Sequence, residues 1–125
     1  MILVDTSVWI ELVAGRIRPM SGTDLANVAT CPPIGQEVFQ GLKPGPASDA
    51  FRDSFLALPL LSKPVPLDLY LSAADIYTQG RRRGLTIRSG ADCLIASIAL
   101  HHGIPVWHRD RVFESIARYT ALETV

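Results

Sequence analysis

Four acids in this chain, Asp5, Glu37, Asp92 and Asp110, each fall in or just before the first turn of a predicted helix. Taken singly, each has an ordinary structural explanation. Asp5 ends the apolar run Ile2, Leu3, Val4 and precedes Thr6 and Ser7, good residues for opening a helix, so it reads as a cap. Ser89-x-x-Asp92 matches a capping box, Asp110 an N-cap, and Glu37 the acidic complement of a helix dipole. Taken together they allow a different chemistry. Acids at four element starts can converge on one edge of a sheet, and carboxylates so gathered repel one another at neutral pH. A hard divalent cation resolves that repulsion, and helix N-termini help keep the acids ionised and able to bind it. The remaining acids, such as Glu11, Asp24, Asp49, Asp53, Asp75 and Glu114, read as solvated helix faces or first turns.

The elements that must position these groups follow from apolar spacing and from turn residues. Ile2, Leu3 and Val4 predict a strand buried on both faces, and residues 7–14 a helix that Gly15 stops. Residues 22–29 place Leu25, Val28 and Ala29 at i, i+3, i+4 and predict a helix. Residues 31–34 read as extended, because each proline disfavours helix in the residue before it. A short helix follows over 35–41, with Glu37 in its first turn, and another from Ser48 to Leu58. Residues 60–66 carry two prolines and hold at most a short edge strand. Over 68–80, Leu69, Ala73, Ile76 and Tyr77 share one helix side, and Arg81, Arg82, Arg83 and Gly84 close it as the helix dipole favours. Ser89 opens a further helix, with Leu94, Ile95, Ile98 and His102 on one face, and Gly103 ends it. Residues 104–107 are the second convincing strand, 110–119 a last helix and 121–125 an edge strand. That order suggests α/β with a parallel core, and Asp5 then stands at the edge where such sheets place ligands.

Composition narrows the function classes. At 125 residues, 48% apolar and 19% charged, the chain is expected to form one globular domain, 1–125. Twelve Lys and Arg balance twelve Asp and Glu, which argues against a broad electrostatic grip on duplex DNA and leaves local basic patches. Cys31 and Cys93 match no ligand spacing and read as reduced thiols of a cytoplasmic protein. Asp5 interrupts the opening apolar run, so no signal peptide is expected. The longest apolar run, around 93–100, falls far short of the roughly 20 residues that span a membrane.

Four blocks carry a resemblance. Ile2-Leu-Val-Asp-Thr-Ser-Val8, Pro33-Ile-Gly-Gln-Glu37, Thr86-Ile-Arg-Ser-Gly-Ala-Asp-Cys-Leu-Ile-Ala96 and His108-Arg-Asp-Arg-Val-Phe113 are similar, in order, to those of the PIN-domain ribonucleases. They resemble most the VapC toxins of bacterial toxin–antitoxin pairs. Asp5, Glu37, Asp92 and Asp110 fall on that family's acidic positions. His108 stands where a threonine or serine is usual, and Val112 replaces a frequent aspartate. The resemblance implies a three-layer α/β/α fold, with a short central parallel sheet flanked by helices. It also implies an endoribonuclease dependent on Mg²⁺ or Mn²⁺. Asp5 and Asp92 would hold the principal ion. Glu37 would complete the site or orient the attacking water, and Asp110 would bind through water or at a second ion.

Substrate grip must then come from local cations. Arg88 and Arg109 neighbour the proposed site and are the better candidates, beside Arg111 and the helix-closing Arg81, Arg82 and Arg83. His101 and His102 fit a structural role, with His108 a minor candidate for touching substrate. Trp9, Tyr70, Tyr77 and Trp107 read as core or interface rather than platforms for stacked bases. The implied partners are RNA, a VapB-like antitoxin docking beside Trp9, Leu12 and Val13, and a second copy of the chain, within larger toxin–antitoxin assemblies. Other readings stay open. An aspartate-based phosphatase would want a second aspartate where Ser7 stands, and a receiver domain a lysine that Lys43 and Lys63 do not supply. A non-catalytic binding module with a vestigial acid cluster would keep the same motifs.

Overall fold

The computed structural model describes residues 1–125, the side chain of Thr23 excepted. The sheet is small and entirely parallel. β1 (Ile2–Val4) lies at its centre, between β2 (Val28–Ala29) and β3 (Val106–Trp107), in the order β2-β1-β3. Leu3 pairs with Ala29 on one side and with Val106 on the other, so the middle strand has no free edge. Single parallel bridges extend both margins, Thr30 to Leu60 and Val106 to Thr124. Those two bridges are all that becomes of the edge strands expected over 60–66 and 121–125. Leu3, Val4, Ala29 and Val106 are wholly buried, as a strand covered on both faces requires.

Parallel neighbours need long crossovers, and helices supply them. They are α1 (Thr6–Val13), α2 (Gly22–Leu25), α3 (Pro32–Gln40), α4 (Pro46–Leu56), α5 (Leu67–Arg82), α6 (Gly90–His102) and α7 (Arg111–Ala117). α6 is the central one. Every residue from Cys93 to Ala99 is buried, and the helix packs against α3, α5 and α7. Gly103, at φ 64°, ends it in a left-handed turn that a side chain would strain.

Two expectations are overturned, both before Glu37. The helix expected over 22–29 stops after one turn. Ser21 and Asp24 cap that turn reciprocally, and Val28 and Ala29 then leave it to pair with β1. Their helical spacing with Leu25 was outweighed by burial on the sheet margin. The segment expected to be extended, 31–34, is extended only at Cys31, and α3 begins at Pro32. Prolines fit a first turn because those N–H groups need no helical partner. Glu37 therefore sits in the second turn of α3, not the first.

Candidate active site at the carboxyl edge of the sheet

All three strands run out at one edge, and the chain turns there into α1, α3 and α7. Asp5, directly after β1, is the most constrained of the acids. Its Oδ2 accepts from the Ser7 backbone N–H at 3.0 Å and from the Ser7 hydroxyl at 2.6 Å. It is thus the N-cap of α1, but only with one oxygen. Its Oδ1 is buried and has no hydrogen-bond partner among the described residues. An unpaired buried carboxylate oxygen is costly unless something outside the chain satisfies it.

Glu37 reaches the same edge from α3, where the Thr6 hydroxyl donates to its Oε1 at 3.1 Å. Burial pushes its carboxyl above the ordinary range and the Thr6 bond pulls it back. The charges of Asp5 and Asp110 raise it again. Asp92 lies in the first turn of α6. The capping box expected there is not made: Ser89 Oγ caps the helix through Ala91 N–H at 3.1 Å instead, while the Asp92 carboxylate makes no hydrogen bond among the described residues. Asp92 is therefore not used up as a cap. Partial burial, then the charges of Asp5, Asp110 and Glu37, push it up to about 7. Asp110 is exposed and caps α7, its Oδ1 accepting from Val112 N–H at 3.1 Å. The charge of each of the other three is thus felt at Asp92, so the structure brings the four predicted acids to one edge.

Two hydroxyls that looked only like helix openers hold this edge together. Ser7 Oγ, besides donating to Asp5, accepts from Arg109 N–H at 2.9 Å and so ties the start of α1 to the loop before α7. Thr6 ties α1 to α3. A hydroxyl immediately after a strand-ending acid was the available signal. His108 serves the same loop: Nδ1 accepts from Asp110 N–H at 3.1 Å, and Nε2 lies 2.8 Å from Glu114. That is the bond a threonine or serine hydroxyl makes two residues ahead of it. The ring is nearly buried and packed on Phe113, which suits a support for the loop.

Arg88, Arg109 and Arg111 surround a cleft of about 640 Å³ whose wall includes Asp92 and Asp110. None of the three pairs with a carboxylate among the described residues, where Arg16 bonds Glu11 instead. Arg83 is committed elsewhere, over the Tyr119 ring at 5.0 Å. Cys31 and Cys93 are buried, and burial raises their thiols to about 12 and about 11, so neither is a nucleophile.

The donor set suits a hard divalent cation. It offers carboxylate oxygens alone, one of them buried without a partner among the described residues, beside a carboxyl raised by its acidic neighbours. Among the described residues, no three His, Cys, Asp or Glu side chains form a ready-made chelate.

The PIN domain family model matches residues 2–119. VapC ribonuclease Mb1587 of Mycobacterium bovis is 37% identical over 130 aligned positions, covering 98% of this chain and 96% of that protein. Ribonuclease VapC11 of Mycobacterium tuberculosis H37Rv matches to the same extent. Among solved structures, VapBC2 from Rickettsia felis, bound to a DNA fragment from its promoter, superposes with a TM-score of 0.75. It is 17% identical, with 100% of this chain and 98% of that chain covered. At that identity it speaks for the fold alone: a parallel sheet flanked by helices, α/β/α.

Proposed function

The chain belongs to the PIN-domain family, and from that premise we propose that it is the toxin of a VapBC-type pair, an endoribonuclease that hydrolyses RNA phosphodiester bonds. The observation that carries this reading is the four-acid edge, where Asp92 is raised to about 7 and Asp5 keeps a buried oxygen without a partner. Asp5 and Asp92 would hold Mg²⁺ or Mn²⁺ directly, with Glu37 and Asp110 joining through water. The bound ion supplies Lewis-acid polarisation of the phosphate and a deprotonated water at neutral pH. The chain's own groups do the rest. Thr6 holds one oxygen of Glu37, leaving the other to orient the attacking water. Ser7 fixes Asp5 against the loop that carries Arg109 and Asp110. Arg88 and Arg109 neutralise the phosphates on either side of the scissile bond.

The partner reading rests on a different surface. Two hollows, of about 520 and 240 Å³, meet at Trp9 and Val13, between α1 and the helices α3 and α4. Their walls are mainly apolar, and the larger one includes Glu37. An amphipathic antitoxin helix laid there would bring an arginine to the acids, whose planar fork pairs with carboxylates. Trp9 itself is 5% exposed and donates from Nε1 to Val4 O at 3.0 Å. The exposed wall is therefore Ile10 and Val13, and Trp9 belongs to the core. A homodimer would cover Leu67 and Leu71, which stand exposed on α5. The protein would work in the cytoplasm, where two free buried thiols stay reduced.

The test is RNA cleavage with Mg²⁺ by the wild type and by Asp5→Asn, Glu37→Gln and Asp92→Asn, with circular dichroism to establish folding. Each variant is expected to fold and to lose at least about a hundredfold in rate, the scale of removing one preorganised charged group. Wild-type rates in folded Asp92→Asn would overturn the proposal.

A further inference from the structure

The cleft that holds Asp92 does not end at Arg88. Arg88 also lines a second groove, of about 640 Å³, between α5 and the first turns of α6. Tyr70 and Tyr77 form its outer wall at 50% and 38% exposure, and Gly90, Ala91 and Leu94 form the other. Neither phenol hydroxyl bonds to the protein among the described residues. The two rings stand seven residues apart on one helix, roughly 10 Å along its axis. Gly90 and Ala91 present almost no side chain on the other wall. No carboxylate lines the groove, and its one charge is the Arg88 guanidinium shared with the acid cleft.

We infer that this groove binds the unpaired bases of the RNA strand next to the scissile phosphate, with Tyr77 and Tyr70 as stacking platforms and Arg88 on the intervening phosphate. The inference rests on the nuclease reading for its ligand and deepens it: the substrate is single-stranded where it leaves the cleft. Continuity through Arg88 and the sign of its charge select a polyanion. The exposed aromatic wall selects unpaired bases over a duplex, whose bases are already stacked. The exposed leucines of α5, Leu67 and Leu71, do not line the groove but flank Tyr70 on the same helix face, so a second copy of the chain is the competing occupant.

Fluorescence anisotropy tests this without catalysis, using full-length protein in EDTA and labelled single-stranded and duplex oligoribonucleotides. Tyr77→Ala and Tyr70→Ala are each expected to weaken single-strand binding about tenfold, the range of one stacked base. Tyr77→Phe should restore it, and duplex binding should be the same in all proteins. Unchanged affinity in both alanine variants would overturn the inference. So would a loss that Tyr77→Phe fails to restore, or one that follows conversion of a dimer to monomer in light scattering, which would assign the groove to a second copy. The nuclease reading fails separately, if wild type with Mg²⁺ cleaves no RNA while the anisotropy differences persist.

Discussion

Asp92 is where burial and charge conflict most. Its carboxyl titrates near 7 in the folded chain against about 4 in an unfolded one. Between those values the folded state binds the extra proton, so stability in the absence of metal falls as pH rises from about 4 to 7. Glu37, also raised, acts with the same sign. In EDTA the wild type should therefore melt lower at pH 8 than at pH 5, and Asp92→Asn should lose much of that difference. Mg²⁺ should reverse the trend, because it binds the ionised acids. A hundredfold excess over Kd is worth about 2.7 kcal/mol. Thermal melts at the two pH values, with and without Mg²⁺, check this, and a wild type in EDTA that is more stable at pH 8 would contradict it. At this scale the acids were legible because type and position announce a carboxylate. Ser7 and Thr6 were not, because a hydroxyl that opens a helix looks the same whether or not it also grips an acid.

α1 connects this chemistry to the core. It begins at the acids and is pinned one turn later by Trp9, whose ring meets Phe55 edge-on at 5.2 Å and Phe51 at 6.0 Å. The same indole closes on Val4 O, the carbonyl just ahead of Asp5. Trp9→Ala should thus act on the fold rather than on one interface. The expected loss is about 3–5 kcal/mol, as for other buried aromatics, with Trp9→Phe retaining part of it. Urea unfolding measures both, and a loss below about 1 kcal/mol for Trp9→Ala would show the packing to be dispensable. Elements with long, repeated apolar spacing, such as α5 and α6, were plain in the sequence. β2 was not, since two residues carry no period and only pairing with β1 makes them a strand. α3 was misread for a related reason: proline disfavours helix before itself, yet it fits the first turn that Pro32 and Pro33 open.

For the whole molecule, the acid edge and the apolar hollows beside it are two halves of one control problem. The edge is anionic, and no arginine or lysine of the chain pairs with Asp5, Glu37, Asp92 or Asp110 among the described residues. Val13, 56% exposed, forms the ridge between the hollows, and Glu37 closes the larger one on the side of the acids. A partner that buries Val13 would come within reach of the acids, whereas RNA held as proposed by Arg88 and Arg109 would not touch it. Binding and cleavage should then separate by mutation. Val13→Asp puts a charge where an apolar helix must seat, and burying it unpaired disfavours the complex by more than about 1.4 kcal/mol, or tenfold in Kd. The side chain is exposed in the free protein, so folding and RNA cleavage should be unchanged. Ile10→Asp should behave alike. Titrating the C-terminal peptide of the proposed VapB-type antitoxin against wild type and both variants, with cleavage assayed in parallel, gives the answer. Equal affinity in all three proteins would place the antitoxin on another face. Equal losses of binding and of cleavage would mean that the ridge supports the acid edge instead of guarding it.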